Sequence, residues 1–314
     1  CAERCAGQYN GIWRSCKRGS FVTNLSVSTT FVPDGRPLQE ALELCKEAGV
    51  QSVEIGSNHC YEESYGYLSV YDFEYLVHNY FPIPQKSFVL NIASFDEIIR
   101  TMSIKHIKRA IDLCEKINAK LYSFHPGFLT DPKGSNNTNS NFDFQWDENQ
   151  LSVSNFKKAK ELMYNALDEV VDYAESKKIN IAIETEGSLN KKDHLLMQQP
   201  KEYEEFMGKY SNSDIGINLN IGHLNLAANA FDFNRFDFIK LIQNYSVAME
   251  LSHNDGVEDQ HLPLQANAWY WEIILDPYFE SVYKILEFRN TQISGIVKNI
   301  HMIQEKENAV SVSK

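Results

Sequence analysis

Imidazole, carboxylate and amide side chains in this sequence gather just behind short apolar runs. His125 follows Leu-Tyr-Ser-Phe, and Glu184 and Glu186 close Ile-Ala-Ile-Glu-Thr-Glu. Asn220 and His223 end Ile-Asn-Leu-Asn-Ile-Gly-His, while His253 and Asp255 end Met-Glu-Leu-Ser-His-Asn-Asp. Asp259 and His261 come next, and Glu287 and Arg289 finish Ile-Leu-Glu-Phe-Arg. One histidine on an apolar strand is usually a satisfied core residue. Several converging with acids and amides imply a divalent metal: imidazole with carboxylate or carboxamide oxygen suits Zn²⁺, Mn²⁺, Fe²⁺ or Co²⁺, and carboxylates suit Mg²⁺. No cysteine accompanies them, which argues against a structural thiolate zinc site.

The elements that would position these groups alternate along the chain. Strand-like runs fall at 24–30, 52–56, 88–93, 120–125, 180–186, 215–222, 247–253 and 283–289. Segments with helical periodicity fall at 37–48, 71–80, 103–117, 155–176, 201–210, 235–243 and 291–304. Pro37 and Pro200 sit at helix starts, where a missing N–H costs little. Eight strand–helix units imply an α/β fold, a single-domain (β/α)₈ TIM barrel over 21–306, with functional groups at the strand C-termini. A doubly wound sheet would want a glycine-rich loop after the first strand, and Phe-Val-Pro-Asp-Gly-Arg carries one glycine. Residues 1–20, which do not begin with Met, read as an N-terminal extension of unknown role, and 307–314 as a C-terminal tail. The polar, Asn-rich segment 131–150 reads as a solvated insertion or as a lid behind strand 4.

Composition narrows the partners. A net charge of −12 repels a phosphate backbone and disfavours nucleic acid. No apolar stretch is long enough to span a membrane, and no secretory hydrophobic region is visible. Cys45 and Cys114 lie on helical apolar patterns and read as reduced core residues; with them the expected location is cytoplasmic. Cys1, Cys5 and Cys16 have metal- or disulfide-like spacing, but no further ligand completes a site nearby.

From about Phe21 to Gln304 the sequence resembles the xylose-isomerase-like barrels, which join endonuclease IV with sugar isomerases and epimerases. The motifs that carry the likeness are Ser87-Phe-Val-Leu-Asn-Ile-Ala93, Phe124-His125-Pro-Gly127, Ile183-Glu184 and Asn220-x-x-His223. Ser252-His253-Asn-Asp255, Asp259-x-His261 and Leu286-Glu287 follow in the family's order. The resemblance implies a core metal site of Glu184, Asn220, His253 and Glu287. It places His125, His223, Asp259 and His261 where the nuclease branch binds further metals, and where the epimerase branch uses His223 to touch substrate. Two departures stand out: Gln85 occupies the place of a metal-binding His, and Asn220 that of an Asp.

Within that frame Glu184 and Glu287 are the candidate catalytic pair, carboxylates facing each other across the barrel mouth. A metal acidifies a C–H beside a carbonyl, one carboxylate takes the proton and the other returns one. Glu186 is the rival of Glu184, and a salt bridge to Arg289 is the plain alternative for Glu287. Arg289 itself would grip a phosphate or carboxylate, or brace Glu287. Asn91 and Asp255 read as supporting hydrogen-bonding groups, and the run Trp269-Tyr-Trp271 as packing rather than a sugar platform. His59, His78, His106, His194 and His301 receive no role. The leading expectation is a metal-dependent sugar or sugar-phosphate isomerase or epimerase with a small carbohydrate substrate, as monomer or homo-oligomer. The alternatives are an endonuclease IV-like phosphodiesterase and a non-catalytic sugar-binding barrel.

Overall fold

Eight parallel strands close into a barrel in chain order. They are β1 (Leu25–Ser28), β2 (Ser52–Ile55), β3 (Glu74–His78), β4 (Tyr122–Phe124), β5 (Ile181–Glu184), β6 (Ile215–Asn220), β7 (Ser246–Leu251) and β8 (Tyr283–Leu286). The helices are α1 (Leu38–Glu47), α2 (Glu97–Ile117), α3 (Val153–Lys177), α4 (Pro200–Lys209), α5 (Ile221–Phe231), α6 (Arg235–Ile242), the short α7 (Trp271–Ile274) and α8 (Ile293–Val312). This computed structural model describes residues 24–129, 131, 152–187 and 195–312. The extension 1–20 with Cys1, Cys5 and Cys16, the insertion 131–150 apart from Asp131, and His194 lie outside the described residues. Among the described residues, no helix is long and apolar enough to cross a membrane.

Side chains alternate along each strand, so one set faces the helices and the other fills the barrel. Tyr75, Val77, Tyr122, Phe124, Ile181, Ile183, Ile217, Leu219, Met249 and Leu251 join helix residues such as Ile107, Leu167 and Phe206 in the main core. The inward set begins with a separate apolar cluster: Leu76, Leu121, Ala182, Ala248 and Ile285. Two residues further along those strands the inward positions are His78, Ser123, Glu184, Glu250 and Glu287, all buried. An apolar floor therefore gives way to a polar layer at the strand C-termini. That is where α/β barrels carry their sites.

The expected strand at 88–93 is not one. The third strand is Glu74–His78, inside the stretch expected to be helical. It pairs with β2 (Ser52↔Glu74 through Ile55↔Val77) and with β4 (Val77↔Tyr122, His78↔Ser123). Tyr71, Tyr75 and Phe73 suit either period in isolation, and the neighbouring strands decide. Residues 88–93 form a loop whose Leu90, Ile92 and Ala93 are buried without a ladder. Asn91 holds it: Oδ1 accepts from Ala93 N at 3.0 Å and Phe128 N at 2.9 Å, and Nδ2 donates to Asp131 at 2.8 Å.

The sixth strand is shorter than expected, because α5, which has no counterpart in the expected helices, starts at Ile221 directly after Asn220. The last helix runs on to Val312, past the expected barrel end at 306. Cys45 and Cys114 are free and buried, and burial pushes the Cys45 thiol up to about 12. Such thiols are inert packing groups.

A candidate metal centre at the barrel mouth

Glu184, the last residue of β5, is 1% exposed and sits among three imidazoles. Its Oε2 lies 3.5 Å from His78 Nε2 and 3.5 Å from His125 Nε2, and its Oε1 lies 3.0 Å from His223 Nδ1. Glu186 stands behind this group, its Oε1 2.6 Å from His125 Nδ1. The two glutamates thus divide roles: Glu184 faces the cavity and Glu186 fixes the His125 ring, as outer carboxylates commonly do for metal-binding histidines.

A second group forms on the far side. His223 Nε2 is 3.5 Å from Asp259 Oδ2, which lies 2.9 Å from His261 Nε2. His261 Nδ1 is 3.0 Å from Glu287 Oε2. The loop after β7 is pinned to deliver these residues: His253 and Leu262 exchange both backbone hydrogen bonds, at 2.8 and 2.9 Å, and Arg289 N donates to His261 O at 3.1 Å. His261 has φ +45°, a left-handed conformation that a β-carbon disfavours and that clusters at functional sites. Arg289 is half-buried, and its charge is felt by both His261 and Glu287.

Asn220 joins the two sides. As N-cap of α5 its side-chain oxygen accepts from His223 N at 3.0 Å. That turns its amide nitrogen toward the acids, where Nδ2 donates to Glu184 Oε1 at 2.9 Å, Glu250 Oε2 at 2.8 Å and Glu287 Oε2 at 3.5 Å. The sequence suggested a carbonyl ligand at this position. The oxygen is engaged by the helix start, and the NH₂ faces the carboxylates. The Asn-x-x-His spacing is that of an N-cap and the third helical residue.

Three further placements differ from expectation. His78, to which the sequence lent no role, ends β3 beside Glu184, while Gln85, read as standing in for a missing histidine, is exposed in the following loop. The misplaced third strand hid the donor. His253 lies beyond β7, half-buried, with Nδ1 3.4 Å from the Tyr270 hydroxyl. Among the described residues no hydrogen bond or ion pair ties it to Glu184, Asn220 or Glu287. The inward residue of β7 is Glu250, which also accepts from Asn218 Nδ2 at 2.6 Å. Inward alternation from Ala248 would have found it. Asp255 shapes its own loop, accepting from Val257 N and Glu258 N.

The charges sort by depth. Burial alone would neutralise Glu184, Asp259 and Glu287, but neighbouring imidazoles hold Glu184 and Asp259 well below the carboxylate range and Glu287 at about 2. Burial opposes charge on His125 and His261 as well, yet Glu184 and Glu186 raise the first to about 9, and Asp259 and Glu287 raise the second to about 9. Deeper down burial wins: His78 falls to about 4, and Glu54 and Glu250 rise well above the carboxylate range.

Three groups among the described residues have metal-site spacing, His78–His125–Glu184 and His223–Asp259–His261 at the rim and Glu54–His78–Glu250 below, with donor atoms within 4.8 Å of one another in each. Glu184 Oε2, Asp259 Oδ1 and His261 Nδ1 are buried and make no hydrogen bond. Buried carboxylate and imidazole atoms that face one another without a hydrogen bond fit a divalent transition metal.

The sequence profile of the xylose isomerase-like TIM barrel matches residues 42–305. An uncharacterized protein of Methanocaldococcus jannaschii, MJ1311, is 24% identical over 289 residues, covering 88% of this chain and 87% of that one. Among solved structures, a D-tagatose 3-epimerase-like protein superposes with a TM-score of 0.70 at 21% identity, over 91% of this chain and 99% of that one. The TTHB071 protein of Thermus thermophilus, soaked with ZnCl₂, gives 0.58 at 17% identity, over 90% and 97%. At such identities the structural likeness is one of fold. The profile, spanning seven of the eight strands, shows more: the chain belongs to the xylose isomerase-like TIM barrel family.

Proposed function

We propose that this protein is a divalent-metal-dependent isomerase or epimerase of a sugar or sugar phosphate, with Glu184 and Glu287 as its proton-transfer pair. The observation that supports this reading is their shared contact: both carboxylates reach the Asn220 amide from opposite sides of the mouth. A substrate carbon above that amide would have an acid on either face. His78, His125 and Glu184, and His223, Asp259 and His261, are the residues that would hold metal. A bound divalent ion supplies polarisation of a carbonyl or hydroxyl, acidifying the neighbouring C–H. Glu184 or Glu287 then accepts the proton and its partner delivers one, while Asn220 keeps both aimed at the same space. Arg289, half-buried with its charge acting on His261 and Glu287, is our candidate for meeting a substrate anion.

The test is exchange in deuterated water. Metal-loaded protein incubated with ketoses, aldoses and their phosphates should incorporate deuterium beside the carbonyl of its substrate. Glu184→Gln and Glu287→Gln should lower the rate roughly 10²–10⁴-fold. Absence of exchange with every sugar, from protein that holds its metal, would overturn the reading.

One observation favours a second reading. With His78 in place, two His-and-acid triplets face each other, which also suits metal-assisted phosphodiester hydrolysis. The net charge of −12 weighs against a duplex substrate. Cleavage of an abasic-site duplex or an activated phosphodiester by metal-loaded protein would establish the hydrolytic reading in place of the first.

A further inference from the structure

Glu54, in β2, lies deeper than the two groups at the rim. It is fully buried, neither carboxylate oxygen makes a direct hydrogen bond, and the Ser28 hydroxyl lies close enough to favour its charged form. A carboxylate taken from water without a partner costs several kcal/mol, so such a group is neutralised by a proton or by a cation. Its surroundings favour the cation. One oxygen of Glu54, one of Glu250 and one ring nitrogen of His78 lie within 4.8 Å of one another. Donors on a common ion lie at most about twice a metal–ligand distance apart, roughly 4–5 Å.

The neighbouring side chains hold these donors in place. Asn218 and Asn220 each donate an amide N–H to Glu250, one to each oxygen, which fixes that carboxylate as an acceptor. His78 is two-sided: Nε2 looks up to Glu184 at 3.5 Å, and Nδ1 lies 3.5 Å from Glu250 and 3.0 Å from the Ser123 hydroxyl, a hydrogen bond that an inner ion would replace. The oxygen of Asn218 is buried and unpartnered as well.

We propose that Glu54, Glu250 and His78 form an inner cation site for a divalent ion of the magnesium–manganese class, beneath the two His-rich groups. Two carboxylates with a single imidazole make a harder donor set than either outer group with its two imidazoles, so the inner site favours Zn²⁺ over Mn²⁺ less strongly than they do and is the one best suited to a hard ion. The assignment holds whether the mouth processes sugars or phosphodiesters; it shares His78 with the outer group, to which His125 and Glu184 remain.

Manganese counting tests it. Full-length protein stripped with a chelator and dialysed against Mn²⁺ is analysed for tightly held ions per chain, beside Glu54→Gln and His261→Gln. Glu54→Gln should hold one Mn²⁺ fewer than wild type, and that ion should remain in His261→Gln. Crystals of the wild-type protein soaked in Mn²⁺ should show an anomalous peak between Glu54, His78 and Glu250, a readout that needs no variant to fold. Equal Mn²⁺ content in wild type and Glu54→Gln overturns the proposal, as does a wild-type crystal with no peak there. An infrared band of a protonated carboxyl that persists in Mn²⁺-loaded wild type and vanishes in Glu54→Gln overturns it too, since a proton would then neutralise Glu54.

Discussion

The side-chain oxygen of Asn220 accepts the backbone N–H of His223 at 3.0 Å, and this one bond sets the polarity of the whole mouth. It caps α5, places His223 against Glu184, and leaves Asn220 only its NH₂ to offer the acids. Asn220→Asp keeps the cap but turns a carboxylate oxygen toward Glu184, Glu250 and Glu287. The metal-free variant should lose stability on the order of 3 kcal/mol, as when a buried charge is left uncompensated. Divalent metal should restore it by a larger melting shift than in wild type. Thermal unfolding with and without Mn²⁺ measures both, and a metal-free Asn220→Asp as stable as wild type contradicts the account.

His78 and Gln85 separate the structural reading from the sequence one. His78→Gln should weaken metal binding at least about tenfold, the lower range for disturbing a metal site. Gln85→Ala, at an exposed loop position, should bind metal like wild type. Titration of the stripped proteins with Zn²⁺ decides, and the reverse ranking would return the third strand's role to 88–93.

Two histidines outside the candidate metal groups predict acid sensitivity. Burial lowers His59 to about 4, and likewise His106, whose Nε2 has no partner. Unfolded, each binds a proton near 6.5. The unfolded state therefore binds more protons between about 6.5 and 4, so their stability contribution is complete above 6.5 and is lost as pH falls through that window. Each shift corresponds to roughly 3 kcal/mol. His106→Phe should flatten the decline seen in denaturant melts across that range; an unchanged slope would remove His106 from the explanation.

Gly187 presses on the site from outside. A β-carbon there would come within 2.0 Å of the His223 carbonyl oxygen, a backbone atom that cannot swing away. Gly187→Ala should cost about 1–3 kcal/mol from overpacking and lower the metal content through displacement of His223. Calorimetry and metal analysis of the purified variant would show both effects or neither.

Much of this was legible in the sequence, for definable reasons. Continuous apolar runs such as Ile-Ala-Ile before Glu184 mark parallel strands, and the acids and imidazoles behind them mark a mouth. Two kinds of information were not local. The strand Glu74–His78 is defined by pairing with β2 and β4, whereas its own residues also suit a helix; missing it concealed His78. The apolar run around Asn91 looks like a strand because it is buried, yet its backbone is served by the side chains of Tyr80, Ser103 and Asn91 rather than by a neighbouring strand. At β7, His253 drew attention by type, but the side chain aimed inward is Glu250, which alternation from Ala248 specifies. Glu54 carried no motif at all, and only the pairing of β2 with β3 brings it to His78.

The floor of Leu76, Leu121, Ala182, Ala248 and Ile285 makes the barrel a cup with a single rim. Water reaches the buried carboxylates from one direction only. Any ligand seated at the rim therefore isolates the protons beneath it until it leaves. An isotope lifted from a bound substrate by one carboxylate would then wash into solvent only after that molecule has left, whereas the hydrogen its partner delivers was loaded from solvent beforehand, and that timing is a signature of the cup's geometry rather than of any one side chain.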